Sequence, residues 1–166
     1  MSWGFINGSP NALGHTDALA QFLLAGQACT TLPLVNYHIA QLGQHRDQPD
    51  DFIRLAQTIS TCDALLIGTP VYWSDMTGLL KTFLDRCTLI AKQVAFRHVP
   101  TYVLVNGTQR PAQTAPGIAP AIAQLADFLQ WDYRDTIVVD TSLVRPPAFA
   151  QVLTPWQQQL QEAQHD

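Results

Sequence analysis

Residues 8 to 16 read GSPNALGHT and follow the short apolar run Trp3–Asn7. Ser9 and Thr16 offer hydroxyl donors there, and Asn11 and His15 offer N–H donors. At the mouth of a helix such groups join unpaired backbone N–H groups and the positive dipole end, a combination that favours an anion. The phosphate loop of nucleotide hydrolases reads G-x-x-x-x-G-K-[ST]. Here five residues separate Gly8 from Gly14, and His15 stands in the lysine's place. Without that lysine or an aspartate to hold magnesium, the stretch argues against nucleotide hydrolysis. The competing reading is structural: Thr16 caps the first helix and its neighbours are turn residues.

Two further loops carry groups that could meet a ligand. Pro70-Val71-Tyr72-Trp73-Ser74-Asp75-Met76 sets two aromatics side by side. Exposed aromatics in a loop call for a cover. A flat ring held by stacking would supply it, and so would the core or a neighbouring subunit. Asn106-Gly107-Thr108-Gln109-Arg110 offers several donors around a glycine, in a pattern that also suits an ordinary turn. A phosphate joined to a flat heterocycle would satisfy all three loops at once.

Those loops need a frame that brings them together. Apolar runs predict strands at 3–7, 32–37, 64–69, 101–106 and 136–139. Ala64-Leu65-Leu66-Ile67 is continuously apolar, as suits a parallel strand covered on both faces. Helical stripes lie between them: Leu19, Phe22 and Leu23; Phe52, Ala56 and Ile59; Leu80, Phe83, Leu84 and Cys87; and Ile118, Ile122, Leu125 and Leu129. Thr154-Pro155 predicts a capped start to a C-terminal helix. Strand followed by helix, repeated, predicts an α/β domain with a parallel sheet and helices on both faces. In such sheets ligands bind beyond the carboxyl ends of the strands, where strand order reverses. The three loops all fall at that edge.

At 166 residues the chain is expected to form a single domain, residues 1–166, able to bury a core without staples. A net charge of −4 argues against nucleic acid as a partner. No stretch approaches the ~20 apolar residues of a membrane span. The start MSWGFING does not resemble a signal peptide. Cys29, Cys62 and Cys87 include no C-x-x-C pair, so neither a disulfide framework nor a metal site is suggested. The expectation is a cytoplasmic protein.

The stretch Gly68-Thr-Pro-Val-Tyr-Trp-Ser-Asp-Met-Thr-Gly-Leu-Leu-Lys-Thr-Phe-Leu-Asp-Arg86 resembles the signature of flavodoxin-fold NAD(P)H-dependent FMN reductases and related NAD(P)H oxidoreductases. The opening loop is similar in length to that family's Gly-Ser-Pro-Arg-x-x-Gly-Asn-Thr loop. The resemblance runs from the first strand through the loop after the fourth. It implies a flavodoxin-like three-layer sandwich, its five-stranded parallel sheet in the order 2-1-3-4-5. It also implies FMN as cofactor, with the phosphate on Ser9, Asn11, His15 and Thr16. The isoalloxazine would lie against Pro70, Val71, Tyr72 and Trp73, with Asn106, Gly107 and Thr108 at its polar edge. Backbone N–H groups of the Val71–Trp73 loop are the expected ring donors.

The same resemblance implies NAD(P)H as co-substrate, a small electron acceptor such as a flavin or quinone, and a homodimer with the aromatic loop near its interface. No catalytic side chain is required, because the hydride chemistry belongs to the cofactor. Two positions depart from the family: Asn11 replaces a frequent arginine, and His15 a frequent asparagine. Losing the arginine removes a charge-assisted phosphate contact. The cysteine cluster of the iron–sulfur branch is absent from the sequence. Asp85 and Arg86 are read as packing and capping residues, Lys81 as solvated or dimer-facing, Cys87 as core, and Arg110 as a solvated loop arginine or a pyrophosphate contact. A flavodoxin-like electron carrier without NAD(P)H activity is the alternative function. A flavin-free scaffold of the same fold is a third.

Overall fold

Each predicted helical stripe forms a helix, and each predicted strand except the second forms where the apolar runs lie. The computed structural model describes residues 1–44, 49–91, 98–144 and 148–162. The strands are β1 (Ser2–Asn7), β2 (Ala28–Pro33), β3 (Ala64–Pro70), β4 (Pro100–Gly107) and β5 (Asp132–Asp140). The helices are α1 (His15–Leu23), α2 (Phe52–Ile59), α3 (Gly78–Cys87), α4 (Pro111–Thr114), α5 (Ile118–Leu129) and α6 (Phe149–Glu162). All strand pairs are parallel, in the order β2-β1-β3-β4-β5. The chain winds outward from β1 to β2 and then returns past β1 to β3, so the switch point lies between β1 and β3.

Alternation along the strands divides the core between two faces. Trp3 and Phe5 of β1, Leu66 of β3, Tyr102 and Leu104 of β4 and Ile137 of β5 pack with Leu19 and Leu23 of α1 and Leu153 and Leu160 of α6. Ile6, Leu65, Ile67, Val103 and Val105 point the other way, onto α2, α3 and α5 through Phe52, Phe83 and Ile122. Helices on both faces are what a parallel sheet needs to bury its two apolar surfaces. Among the described residues no helix is long and apolar enough to cross a membrane.

Three boundaries differ from the sequence reading. The second strand is Ala28–Pro33, not 32–37, and Leu34–Asn36 forms a 3₁₀ turn. Ala28 to Thr31 are exposed on an edge strand, so pairing with β1 rather than an apolar run defines it. The fifth strand extends back to Asp132 past a register shift that leaves Arg134 unpaired with β4. The last helix starts at Phe149, with Pro155 inside it. Thr154 is therefore no cap; its hydroxyl donates to Ala150 O at 2.6 Å. An interior proline costs about 3 kcal/mol. Burial of Phe149, Leu153 and Leu160, with Gln157 donating to Phe22 O at 2.8 Å, holds the helix through it.

Arg86, near the end of α3, has a structural task. Its guanidinium pairs with Asp50 at 2.5 Å, both side chains only 5% exposed. It also donates to Ala40 O at 2.7 Å and lies 4.7 Å from the centre of the Phe52 ring. Burial pushes the Asp50 carboxyl up, but hydrogen bonds from Arg86 and from the Ala40 and Phe52 N–H groups outweigh it and hold the group below its usual value. The clamp ties the segment after β2 to α2 and α3. Lys81 pairs with Asp85 on the exposed face of α3, and Cys87 is buried in the core.

Candidate functional site

Helix α1 has Gly14 as its N-cap and no side chain capping it. The first helical N–H groups are left for whatever occupies the space above them. That space is a cleft of about 470 Å³ at the carboxyl edge of the sheet. Gly68 lets the helix mouth lie this close to β3. A β-carbon there would stand 2.8 Å from both Phe5 Cε2 and Thr16 Cγ2.

The loop from Gly8 to Gly14 is shaped by short-range side-chain turns. Ser9 N donates to Asn7 Oδ1 at 2.9 Å, and Asn7 Nδ2 to Ala12 O at 3.3 Å. Asn11 N donates to Ser9 Oγ at 3.1 Å, and Leu13 N to Asn11 Oδ1 at 3.3 Å. These bonds occupy acceptors and leave donors: the Ser9 hydroxyl proton and Asn11 Nδ2. From below, Gly8 N donates to Gly68 O at 2.8 Å, and Thr77 Oγ1 donates to Gly8 O at 2.6 Å. Thr77 is itself the cap of α3, accepting from Leu80 N. One hydroxyl thus fastens the first loop to the third helix.

Thr16 does not cap α1. It lies inside the first turn, buried, and donates to Asn106 Oδ1 at 2.7 Å. This side-chain link joins the helix mouth to the end of β4 and turns Asn106 Nδ2 into the remaining donor of that amide. The loop after β4 is braced by Thr141, whose N–H and hydroxyl both donate to Gly107 O, at 2.7 and 3.1 Å. Asp140 accepts from Ser142 and from Arg110 N, and these bonds hold its carboxyl below the usual range.

The loop after β3 is built differently. Tyr72 and Asp75 exchange backbone bonds of 2.9 and 3.1 Å around Trp73 and Ser74, which have φ values of 50° and 64°. Positive φ at both central residues makes this a type I′ turn, a geometry that glycine and asparagine favour. Tryptophan there is strained, and its side chain is fully exposed. The N–H groups of Val71 and Tyr72, expected to be ring donors, are spent on Asn106 O and Asp75 O.

The cleft draws together Ser9, Asn11, His15, Thr16, Pro70, Val71, Tyr72, Asn106, Gly107 and Thr108. Trp73 is not among the lining residues, because the turn carries it outward. Leu13, Gly14, Ala18 and Thr141 also line the wall. Thr141 went unread in the sequence, although it follows directly on β5 and the carboxyl-edge rule covers that strand too. No lysine, arginine, aspartate or glutamate lines the cleft among the described residues.

An uncapped helix mouth, neutral donors at one end and an apolar wall of Pro70, Val71 and Tyr72 beside it suit a phosphorylated planar ring. Fold and cleft define a flavodoxin-like α/β protein. A family profile described as NADPH-dependent FMN reductase matches residues 1–144, and the chain belongs to that family. The family's cofactor is FMN and its co-substrate NAD(P)H. YwqN of Bacillus subtilis (strain 168), named for NAD(P)H-dependent, FMN-containing oxidoreductase chemistry, is 33% identical over 93 residues, 52% of this chain and 51% of that protein. An iron–sulfur flavoprotein of Archaeoglobus fulgidus is 30% identical over 92 residues, 49% of this chain and 46% of its own. The chain thus spans about half the length of the curated relatives it matches. Among solved structures, the Trp repressor binding protein from Bacillus subtilis superimposes with a TM-score of 0.72 at 22% identity, covering 95% of this chain and 99% of that one. An NADH:FMN oxidoreductase gives 0.72 at 20%, covering 98% and 89%. At these identities the likeness is one of fold.

Proposed function

We propose that this chain holds FMN in the carboxyl-edge cleft and acts as an NAD(P)H-dependent oxidoreductase, passing electrons to a small acceptor such as a free flavin or a quinone. The observation that carries the reading is the meeting of the uncapped α1 mouth, the Pro70–Tyr72 wall and the Asn106–Thr108 loop in one cleft. In this reading the α1 N–H groups, Ser9, Asn11 and His15 hold the phosphate. Pro70, Val71 and Tyr72 cover one face of the ring, and Asn106, Gly107 and Thr108 border its polar edge. Thr16 serves by orienting Asn106 and by its backbone N–H. Trp73 stands outside the cleft as a rim residue for whatever approaches.

When bound, FMN supplies the acceptance of a hydride and its onward passage as electrons. The protein's own residues bind, orient and shield: the braced first loop fixes the phosphate end, and the apolar wall excludes water from one ring face. None of them needs to move a proton. Family membership supports the activity. The test is a purified protein whose flavin band, near ~450 nm, bleaches anaerobically on addition of NADH or NADPH. A protein that takes up no FMN overturns the reading. Bound FMN that neither nicotinamide reduces leaves the electron-carrier alternative instead.

A homodimer belongs to the same proposal. Leu13, Trp73 and Leu143 are 85%, 100% and 79% exposed around the cleft, a rim that a second copy would cover. Sedimentation equilibrium at micromolar concentration tests it, a monomer alone being the adverse result. Three free cysteines support residence in the reducing cytoplasm, and one continuous sheet supports a single domain over residues 1–166.

A further inference from the structure

The loop after β4 carries a cation without a counter-ion. Among the described residues Arg54, Lys81, Arg86 and Arg134 are each paired with an aspartate, whereas Arg110 has no acidic partner. Its side chain is exposed and lies outside the cleft lining, just beyond Thr108, which is part of it. A guanidinium keeps its charge at every pH of interest. We propose that Arg110 is the phosphate contact for the dinucleotide hydride donor, meeting its pyrophosphate or 2′-phosphate at the mouth of the cleft. It would thereby set a preference for NAD(P)H over donors that carry no phosphate. The inference rests on the oxidoreductase reading and adds to it a residue that selects the co-substrate.

The backbone holds this residue in place at a cost. Gln109 and Arg110 both have φ of 59°, in the left-handed region that residues other than glycine rarely adopt. Arg110 N donates to Asp140 Oδ2 at 2.8 Å, and Arg110 O accepts from Gln113 N and Thr114 N at 2.9 and 3.1 Å. Strain of this kind persists where the surroundings over-determine it, and it gathers at ligand contacts. The loop also abuts the apolar wall of the cleft. Val71 N donates to Asn106 O at 2.8 Å, and a β-carbon on Gly107 would stand 3.1 Å from Val71 Cβ. The carboxylates of the two loops are turned to backbone N–H groups: Asp140 accepts from Ser142 N at 2.9 Å as well as from Arg110 N, and Asp75 accepts from Met76 N at 2.7 Å. The guanidinium is thus left to an incoming anion.

Donor chemistry selects among the anions that could arrive. The α1 mouth already serves the FMN phosphate, and a quinone acceptor carries no phosphate. A nicotinamide dinucleotide brings a ring that must enter the cleft and phosphates that a cleft shared with the flavin leaves outside. A planar guanidinium matches a phosphate through two parallel hydrogen bonds. At an exposed site such a contact contributes about tenfold in affinity, and salt screens it.

Anaerobic stopped-flow reduction of the FMN-loaded protein by NADPH, NADH and 1-benzyl-1,4-dihydronicotinamide tests this, since the benzyl donor shares the ring and lacks phosphate. In Arg110→Gln the dinucleotide-to-benzyl ratio of second-order rates is expected to fall about tenfold, through the half-saturating concentration rather than the limiting rate. Calorimetric titration with NADP⁺ should weaken by a similar factor, and Arg110→Lys should recover most of both. Loss with NADPH alone places the contact at the 2′-phosphate, and loss with both dinucleotides places it at the pyrophosphate. An unchanged ratio, or a fall that the benzyl donor shares, overturns the proposal while leaving the activity intact. Native protein whose FMN neither dinucleotide reduces overturns the oxidoreductase reading and this proposal with it.

Discussion

Two regions of the molecule handle charge in opposite ways. The segment after β2 is clamped by Arg86 and Asp50, a fully formed ion pair withdrawn from solvent. The cleft at β1, β3 and β4 is lined, among the described residues, by no lysine, arginine, aspartate or glutamate, and relies on hydroxyls, amides, the His15 imidazole and an open helix mouth. A buried pair is rigid and intolerant of loss, since removing one partner strands the other. Neutral donors around a helix mouth lose less when empty, because water can satisfy them. Structure has been given the strong interaction, and binding the reversible one.

Arg86→Gln breaks the comparison most severely. It leaves the Asp50 carboxylate buried beside a neutral amide, and urea denaturation should show a loss of about 3–5 kcal/mol. The variant's FMN affinity, measured under folding conditions, should change less than about threefold if the clamp is purely structural, a difference of about 0.6 kcal/mol. Acid denaturation sharpens the same point. Asp50 ionises below its unfolded value, so its contribution is present above about pH 4 and is lost as pH falls through the depressed value. Asp50→Asn should flatten that limb of the stability–pH curve and lower the plateau at neutral pH.

In the cleft the expected effects are smaller. Thr16→Val removes the donor to Asn106 Oδ1 and frees that amide to rotate. The cost is about 1–2 kcal/mol, so FMN should bind about 5- to 30-fold more weakly by fluorescence titration, with recovery in Thr16→Ser. If Thr16→Val binds like the native chain, Asn106 does not need its partner. The smallest effect concerns the turn after β3. Replacing Trp73 by Asn and Ser74 by Gly suits the type I′ geometry. Relief of about 1 kcal/mol should raise the melting temperature by about 2–4 °C. A drop instead would mean that Trp73 packs against something the isolated chain does not contain.

Much of the frame was legible in the chain. Where a strand is buried on both faces, as at Leu65–Ile67, its apolar run declares it. Where a helix buries one stripe, as at Phe52, Ala56 and Ile59, the spacing does so. The edge strand Ala28–Pro33 stayed hidden because its residues up to Thr31 are exposed, and backbone pairing alone makes it a strand. Thr154-Pro155 misled for a related reason: local capping chemistry was outweighed by the burial of Phe149 and Leu153.

The cleft divides in the same way. Ser9, Asn11, His15, Pro70, Tyr72 and Asn106 were readable because their types suit a phosphate and a ring, and because the carboxyl-edge rule places their loops together. What they do there was decided by the tertiary structure. Thr16 gives its proton to Asn106, 90 residues away. The Val71 and Tyr72 N–H groups close backbone bonds rather than face the cleft. Trp73 is turned out to solvent. The sequence by itself determined the strand–helix order, the apolar faces and the donor types, since periodicity and composition act locally. Which donors remain unspent, and that no described lysine or arginine lines the cleft, depended on contacts between distant segments that exist only once the chain is folded.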